Sequence, residues 1–258
     1  MPHFDVSIII VNYNTRNLLK NCLISIYEHT KDISFEVLVS DNGSIDGSCD
    51  MLRAEFPQVR LIENNENLGF GAGNNRALDH ATGKYIFYLN SDTVIQNNTV
   101  KIFFDFWETY ERKENLGAIG ANLLDENKAI IHSAGNFRSI NTELKYAFHD
   151  MLRSYKLIIP ILRTKSLGTA SPSTEKKCGE VDYITGADLF VKNDEYARFD
   201  ERYFLYYEET DMQKTMALAE KERRLIDGPL IHHLKGGSNN AVNSLSFYRS
   251  IPKINTFL

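Results

Sequence analysis

The chain has 258 residues, of which 43% are hydrophobic and 24% charged, and its formal net charge is −5. That length suits one large domain of ordinary globular composition, and the negative charge argues against a nucleic-acid-binding surface, which needs a concentrated basic patch. Three widely separated cysteines, Cys22, Cys49 and Cys178, fit neither a disulfide framework nor a zinc cluster.

The sequence predicts a cytoplasmic protein that binds no nucleic acid. Residues 1–5 (MPHFD) lack the basic start and the apolar core of a signal peptide. No run approaches the roughly 18 apolar residues that a membrane-spanning helix needs. The odd number of cysteines also favours a reducing compartment.

Strands and helices alternate over the first half of the chain. Short apolar, β-branched runs predict strands, and apolar residues at helical spacing predict helices. In chain order these are strand 6–11, helix 18–27, strand 35–39, helix 48–56, strand 59–62, helix 74–80, strand 85–89 and helix 100–111. Such alternation predicts an α/β fold with a doubly wound, mostly parallel sheet flanked by helices.

Polar side chains follow three of the predicted strands. Asn12, Asp41 and Asp92 each lie just past a strand end. Ligands of open α/β sheets bind outside the carboxyl ends of the strands, so we expect these three side chains to face one crevice. There Asp92 could hold a hard divalent cation through oxygen, or it could simply cap the following turn.

The stretch 67–76 (NLGFGAGNNR) contains three glycines ahead of a predicted helix. Glycines let the backbone approach a ligand closely, and the free amides at a helix start favour an anion. Asn75 and Arg76 behind the glycines favour a polar ligand. The alternative is a flexible surface loop.

The second half of the chain is less regular. Residues 151–165 (MLRSYKLIIPILRTK) mix apolar and basic side chains, which fits either a short contact with anionic lipid or an ordinary helix–proline–helix segment on the core. Residues 166–177 are typical of a loop. A strand-like segment from Val181, a helix from near Glu209 and a last strand at 230–234 follow, before a glycine loop at 236–239.

Two further clusters carry titratable side chains. The sequence YYEETDM places Glu208, Glu209 and Asp211 behind two tyrosines. Acids in the first turn of a helix stabilise it, but a carboxylate against an apolar wall can also serve as a general base. His232 and His233 on a strand would face opposite sides, so at most one readily serves the crevice, and a structural role is the alternative.

Taken in order, these motifs resemble those of the inverting family 2 glycosyltransferases with the GT-A fold, most closely the rhamnosyltransferase-like branch of bacterial polysaccharide and O-antigen assembly. The matching stretches run from residue 6 to 238: VSIIIVNYN, SDNGSIDGS, ENLGFGAGNN, LNSDT, ITGADLF, FDERYFLYYEETDM and HHLKGG. The resemblance implies one GT-A domain over 1–258. Its nucleotide-sugar-binding half would end near 115, and its irregular acceptor-side half, with the catalytic base, would follow.

The resemblance also implies roles for the residues that match the family's motifs. Asp41 would accept a hydrogen bond from a ring NH of the nucleotide base. The metal-binding Asp-x-Asp of the family matches residues 90–92, where Asn90 replaces the first aspartate; Asp92 would then hold Mn²⁺ or Mg²⁺, more loosely than two acids would. The nucleotide-sugar-binding set would be Val11, Asn12, Tyr13, Asp41, Gly69, Asn75, Arg76, Asn90 and Ser91.

The remaining implied roles concern the reaction. Glu209 matches the catalytic base, with Glu208 as the alternative, and His233 matches a histidine of the metal shell, with His232 in reserve. The implied reaction moves a sugar from dTDP-rhamnose or a UDP-sugar to a glycan or lipid-linked acceptor in cell-surface polysaccharide synthesis, with peripheral contact at the inner membrane face.

Two other functions compete with this interpretation. A sugar nucleotidyltransferase would carry a glycine-rich loop with a basic residue after the first strand, where this chain has NYNTRNLL. A non-catalytic nucleotide-sugar-binding or scaffold relative would tolerate the loss of Asp92 and Glu209, and both are present.

Overall fold

The structure, a computed structural model, describes residues 3–131, 133–137 and 178–234. Its strands are β1 Phe4–Asn12, β2 Phe35–Asp41, β3 Arg60–Glu63, β4 Gly83–Leu89, β5 Thr93–Ile95, β6 Leu116–Leu124, β7 Ala134–Gly135, β8 Gly179–Glu180, β9 Tyr183–Ile184, β10 Asp188–Lys192 and β11 Glu222–His233. Its helices are α1 Arg16–His29, α2 Ser48–Glu55, α3 Phe70–Leu78, α4 Thr99–Thr109 and α5 Glu208–Leu218, with a short 3₁₀ turn at Lys113–Asn115.

Nine of the strands in the described ranges form one sheet. Its order is β3-β2-β1-β4-β10-β6-β11-β5, and β8 pairs with β11 beside this path. Strands β3, β2, β1 and β4 are parallel, as are β6 and β11, whereas β10 and β5 run antiparallel to their neighbours. The predicted α/β class with a mostly parallel sheet is therefore confirmed.

The central strands are apolar because helices cover both of their faces. Ile8 and Ile10 of β1 face the cluster formed with α1, α2 and α4, while Ile9 faces the cluster formed with α3 and α5. All five residues of β4 from Tyr85 to Leu89 are buried. The polar residues that follow Leu89 mark the point where this strand leaves the core.

Helix α3 begins four residues earlier than the sequence predicts, at Phe70 instead of residue 74. Two of the three glycines therefore lie inside the helix and not in a loop before it. A Cβ on Gly71 would meet the Phe199 side chain at 3.1 Å, and a Cβ on Gly73 would meet Val11 at 3.1 Å. These glycines let α3 lie close to its neighbours, and their approach to a ligand stays a prediction.

Three predicted segments lie outside the described residues, namely 151–165, 166–177 and the glycine loop 236–239. None of the helices in the described ranges combines the length and apolarity needed to cross a bilayer.

Candidate functional site

The predicted polar residues meet at the carboxyl edge of the sheet. Asn12 and Asp41 are the last residues of β1 and β2 and lie opposite each other in the parallel register. Strand β4 ends beside them at Leu89, and residues 90–92 continue along the same edge. Three chain segments that are distant in sequence thus present their polar ends together, as expected for a ligand crevice.

Asp41 is held by three N–H donors. The Asn12 Nδ2 atom donates to its Oδ2 at 2.7 Å, and the backbone amides of Gly43 and Ser44 donate to its Oδ1 at 3.1 and 2.8 Å. An ionised carboxylate has about four acceptor positions, and the Cys49 thiol also hydrogen-bonds to Asp41. Burial, followed by the Asp41 charge and this hydrogen bond, raises the pKa of Cys49 to about 12.

Two hydroxyls that the sequence analysis missed connect this edge. Thr15 donates to Asn12 Oδ1 at 2.6 Å, and its oxygen lies 2.9 Å from Ser91 Oγ. Ser44 accepts from Asn12 Nδ2 at 3.0 Å and from the Asn14 amide at 2.8 Å. In the sequence, only their positions indicate them: Thr15 and Ser44 each lie three residues after a polar strand end, in NYNT and DNGS.

Asp92 and His233 converge although 141 positions separate them in the chain. The Nε2 atom of His233 lies 3.1 Å from Asp92 Oδ1, and the Leu234 amide donates to the Asp92 carbonyl at 2.9 Å. The antiparallel pairing of β5 with β11, which sets His233 opposite Thr93, brings them together. His232 is buried, and the alternation of the strand places it on the opposite face.

Asp92 and His233 fit a divalent cation as a partial ligand set. Two ligands at neighbouring positions of an octahedral ion, each about 2.1 Å from it, lie about 3 Å apart, close to the separation observed here. Within the described residues, no group of three or more histidine, cysteine or acidic side chains could hold a metal ion. A cation at Asp92 would therefore need further ligands from substrate phosphates and water.

The tip of β4 is also joined to the segment that leads to α5. The Asn90 amide donates to the Ala187 carbonyl at 3.1 Å. On the preceding residue, Gly186, a Cβ would lie 3.7 Å from Glu209 Cβ and 3.2 Å from the Phe70 ring. Residues 186–187 therefore lie between the Asp92 end of the crevice and the glutamates of α5.

Glu208 and Glu209 occupy different environments at the start of α5. Glu208 is only 2% exposed, and its Oε2 atom has no hydrogen-bond partner among the described residues. Burial, and secondly the charge of Glu209, raise the pKa of Glu208 to about 8. Glu209 is partly exposed, and burial raises the pKa of this carboxyl as well. By solvent-accessible surface, Glu209 is thus the more exposed of the two.

The residues before these glutamates have an unusual backbone. Tyr206 and Tyr207 both have positive φ angles, 69° and 73°, and both are exposed. Consecutive left-handed conformations are uncommon for residues other than glycine and persist where the surroundings impose them. Here the Phe204 carbonyl accepts from the Phe70 amide at 2.9 Å, and the Asp211 amide donates to the Tyr207 carbonyl at 2.8 Å, so both sides of the turn are anchored.

Four further residues predicted to contact the nucleotide-sugar differ in their burial. Asn75 is buried, and its amide group both donates to the Phe199 carbonyl and accepts from the Phe199 amide, at 2.9 and 3.0 Å. It thereby fastens α3 to the segment before α5. Arg76 is exposed on α3, while Val11 and Tyr13 are half-buried at the end of β1.

Replacing Gly69 by alanine is expected to destabilise the protein by more than about 1 kcal/mol, since Gly69 has a φ of +87° and a Cβ would lie 2.9 Å from the Phe204 carbonyl carbon. Urea denaturation of the two proteins measures the difference. Gly179 provides the matched control, because its φ of +122° is also left-handed but no atom lies within 4 Å of a Cβ there. Equal losses for both alanine variants would show that the close approach of Phe204 is unimportant.

Curated relatives of this chain are glycosyltransferases. YfnE, an uncharacterized glycosyltransferase of Bacillus subtilis (strain 168), is 36% identical over 117 residues, which is 44% of this chain and 29% of that protein. An N-acetylglucosaminyl-diphospho-decaprenol L-rhamnosyltransferase of Mycobacterium tuberculosis is 25% identical over 190 residues, which is 68% of this chain and 59% of that protein. The chain therefore matches less than two thirds of the length of each relative, 29% of one and 59% of the other.

Solved structures of glycosyltransferases share the fold. TarS 1–349 of S. aureus matches with a TM-score of 0.57 and 17% identity over 89% of this chain and 60% of that one. The mannosyltransferase PcManGT of Pyrobaculum calidifontis, solved with GDP-Man and Mn²⁺, matches with a TM-score of 0.57 and 18% identity over 90% of this chain and 58% of that one. At such identities the likeness establishes the GT-A fold alone, which confirms the fold that the motifs implied.

The family assignment rests on a direct match of sequence to a family model. Residues 7–162, more than half of the chain, match the model described as Glycosyl transferase family 2. The matched region contains the ends of β1, β2 and β4, the start of α3 and residues 90–92. This chain therefore belongs to glycosyltransferase family 2.

Proposed function

We propose that this protein is an inverting glycosyltransferase that moves a sugar from dTDP-rhamnose or a UDP-sugar to a glycan or lipid-linked acceptor in cell-surface polysaccharide synthesis. The observation that supports the proposal is a set of contacts that makes the ends of β1 and β2, the residues after β4 and the start of α5 neighbours: Asn12 with Asp41, Thr15 with Ser91, Asn90 with Ala187, and Gly186 with Glu209. The rhamnosyltransferase relative and the mannosyltransferase solved with GDP-Man support the donor class.

Asp41 would bind the nucleotide base. Its carboxylate accepts three N–H donors from the protein and a hydrogen bond from the Cys49 thiol, which is the weakest of these donors. Uracil and thymine both offer a single ring NH, and either would replace or share the position of the thiol. Val11, Asn12 and Tyr13 would line the same end of the pocket, while Asn90 and Ser91, which precede Asp92, would lie toward the ribose or the sugar.

Asp92 and His233 would hold a divalent cation, Mn²⁺ or Mg²⁺, together with the donor's phosphates. Bound there, the cation would offset the negative charge that develops on the departing diphosphate. The mannosyltransferase with this fold was solved with Mn²⁺. Asp92 is the single acid of the Asn-Ser-Asp motif, so the protein would hold the cation more loosely than two acids would.

Glu209 would act as the general base. It would take the proton of the acceptor hydroxyl while that oxygen attacks the anomeric carbon from the face opposite the diphosphate, so that one C–O bond forms as the other breaks. A base must approach the hydroxyl within about 2.6–3.2 Å, which requires an accessible carboxylate. Glu209 is partly exposed, whereas Glu208 is buried, and this difference favours Glu209.

The acceptor would be a growing glycan or a sugar on a lipid carrier, and the protein would then work at the inner face of the membrane. The name of the mycobacterial relative contains a lipid-linked sugar, N-acetylglucosaminyl-diphospho-decaprenol. The basic and apolar segment 151–165 suits peripheral contact with anionic lipid. The proposed catalytic domain comprises the whole chain, with its acceptor-side half after about residue 115.

Thermal denaturation with a panel of nucleotide-sugars tests the donor assignment. A ligand that binds only the folded protein raises its apparent stability by mass action. We expect UDP- or dTDP-sugars to raise the melting temperature in the presence of Mn²⁺ or Mg²⁺, and we expect slow hydrolysis of the preferred donor without acceptor. No shift with any nucleotide-sugar would refute the proposal, and binding without hydrolysis or transfer would favour a non-catalytic relative.

Replacing Asp92 by asparagine is expected to weaken metal-dependent nucleotide binding by at least about tenfold, since even losing a group behind a metal ligand costs about 10–100-fold. Calorimetric titration of UDP or dTDP with manganese measures the change. Asp105→Asn, at an exposed ion pair with Lys101, is the matched control. Unchanged affinity in the Asp92 variant would exclude this residue as the metal ligand.

A further inference from the structure

A chain of hydrogen bonds runs between the two ends of the proposed donor site. Ser91, directly before Asp92, contacts Thr15 at 2.9 Å, and Thr15 contacts Asn12 at 2.6 Å. Asn12 in turn donates to Asp41 at 2.7 Å. We propose that Thr15 is a positioning residue that couples the nucleobase end of the crevice, at Asp41, to its metal end, at Asp92. The inference rests on the proposed function, because both ends are assigned by it.

The donor and the acceptor of each hydrogen bond between Ser91 and Asp41 can be assigned. The Asp41 carboxylate accepts from two backbone amides, and the Asn12 group that faces it is therefore the NH₂ side of the amide. The Asn12 oxygen then faces Thr15, and the hydroxyl of Thr15 must donate to it. Because that proton is committed, the oxygen of Thr15 accepts from the Ser91 hydroxyl. Each group thus depends on the orientation of the next.

Thr15 does not serve the role that its position in the fold usually gives it. It precedes α1 as the N-cap residue, and threonine at that position normally bonds a free amide of the first turn. Here its side chain makes no capping hydrogen bond. The hydroxyl is directed instead toward Asn12 and Ser91, so helix capping does not explain it.

Burial makes these hydrogen bonds consequential. Asn12, Thr15, Asp41 and Ser91 are all buried. Hydrogen bonds shielded from water are stronger, and networks of them fix one arrangement of the groups they join. Breaking the link at Thr15 would leave the Asn12 oxygen and the Ser91 hydroxyl short of a partner, and Ser91 would lose its side-chain connection to Asn12.

This geometry predicts an effect specific to ligands that span both ends. A nucleoside diphosphate bound with Mn²⁺ engages Asp41 and Asp92 together, so its affinity depends on their relative placement. The same nucleotide in EDTA relies on the base end alone. Loss of the hydrogen bond between Thr15 and Ser91 should therefore weaken nucleotide binding more in Mn²⁺ than in EDTA.

The experiment compares Thr15→Val with Thr15→Ser. Calorimetry gives the dissociation constants of UDP and of dTDP, each measured in EDTA and in Mn²⁺. For each nucleotide, the dissociation constant in EDTA divided by that in Mn²⁺ is the gain in affinity from the metal, called the metal ratio. Removing one partner of a buried hydrogen bond and leaving the other unpaired changes an equilibrium by about five- to 100-fold. We expect Thr15→Val to reduce the metal ratio about tenfold and Thr15→Ser to keep it within about threefold of the wild type.

Two further variants separate positioning from a general structural effect. Ser91→Ala breaks the same link from its other side, so it should reduce the metal ratio similarly, and the double variant should lose little more than either single one. It also provides the test if Thr15→Val fails to fold. Thr99→Val is the matched control, because Thr99 is a buried threonine whose hydroxyl bonds Asn97 outside this chain of hydrogen bonds.

The outcomes distinguish this inference from the proposed function. Suppose that the wild type binds nucleotide, but the Thr15→Val and Ser91→Ala variants have the wild-type metal ratio of dissociation constants in EDTA and Mn²⁺. Equal losses of affinity with and without manganese give that result. The coupling role is then wrong, while the donor assignment stands. If the wild type binds neither UDP nor dTDP under either condition, the proposed function is wrong. A metal ratio that is reduced in Thr15→Val and close to the wild-type value in Thr15→Ser supports the coupling.

Discussion

Replacing Glu209 by glutamine is expected to lower the rate of sugar transfer by about 10²–10⁴-fold, the usual contribution of a general base. Glutamine has nearly the same size but cannot take the proton of the acceptor hydroxyl. Donor binding should survive, because the proposed contacts to the base and the phosphates lie at Asp41 and Asp92. Transfer rates and the dissociation constant of the nucleotide, measured on the same preparation, test both parts.

The control for this variant is Glu220→Gln, the same substitution at an exposed position just beyond the other end of α5. It should transfer sugar at the wild-type rate. If Glu209→Gln lost nucleotide affinity together with turnover, Glu209 would be a binding or structural residue and not the base. A Glu209→Gln variant with normal turnover would return Glu208 to consideration.

The stability of the protein is expected to fall as the pH rises, because of Glu208. Burial, followed by the charge of Glu209, raises the pKa of Glu208 from an ordinary 4.5 to about 8 in the folded state. The folded state therefore binds this proton more tightly than the unfolded chain. The resulting stabilisation is complete below about pH 4.5 and is lost as the pH rises through about 8, with a slope of up to about 1.4 kcal/mol per pH unit.

Urea denaturation at several pH values between 5 and 9, on the wild type and on Glu208→Gln, isolates this effect. Glutamine cannot ionise, so the free energy of unfolding of the variant should decline less over this range, by a few kcal/mol in total. Burial also raises the pKa of Glu209 and Asp211, but these groups are present in both proteins. Parallel curves would show that the Glu208 carboxyl ionises in the folded protein as easily as in the unfolded chain.

The two glutamates thus have complementary properties at neutral pH. Glu208 is held neutral by burial, and its Oε2 atom has no hydrogen-bond partner among the described residues. Two adjacent carboxylates with one charge between them repel each other less than two charged ones. The neutral state of Glu208 therefore favours the ionised form of Glu209, which is the form that a base requires.

The sequence predicts the central strands well because their residues are buried on both faces. Runs such as 6–11 and 85–89 have no amphipathic alternation to misread, and the structure confirms β1 and β4 there. The polar residues at the strand ends follow from the same reasoning. The start of helix α3 is less apparent from the sequence, because its first turn contains glycines, which are poor helix formers. The close contacts with Phe199 and Val11 explain why glycines occupy these positions.

The sequence by itself determined the fold class and the polar residues at or just after the ends of β1, β2 and β4, because burial and strand ends leave local patterns along the chain. The order of its motifs indicated the family. The tertiary structure alone decided which residues meet. Three features depend on strand pairing and helix packing between distant segments: the contact of His233 with Asp92, the turn of Thr15 away from its helix toward Ser91, and the burial of Glu208 beside a partly exposed Glu209. Local sequence carries no record of such distances, because they arise only when the sheet assembles.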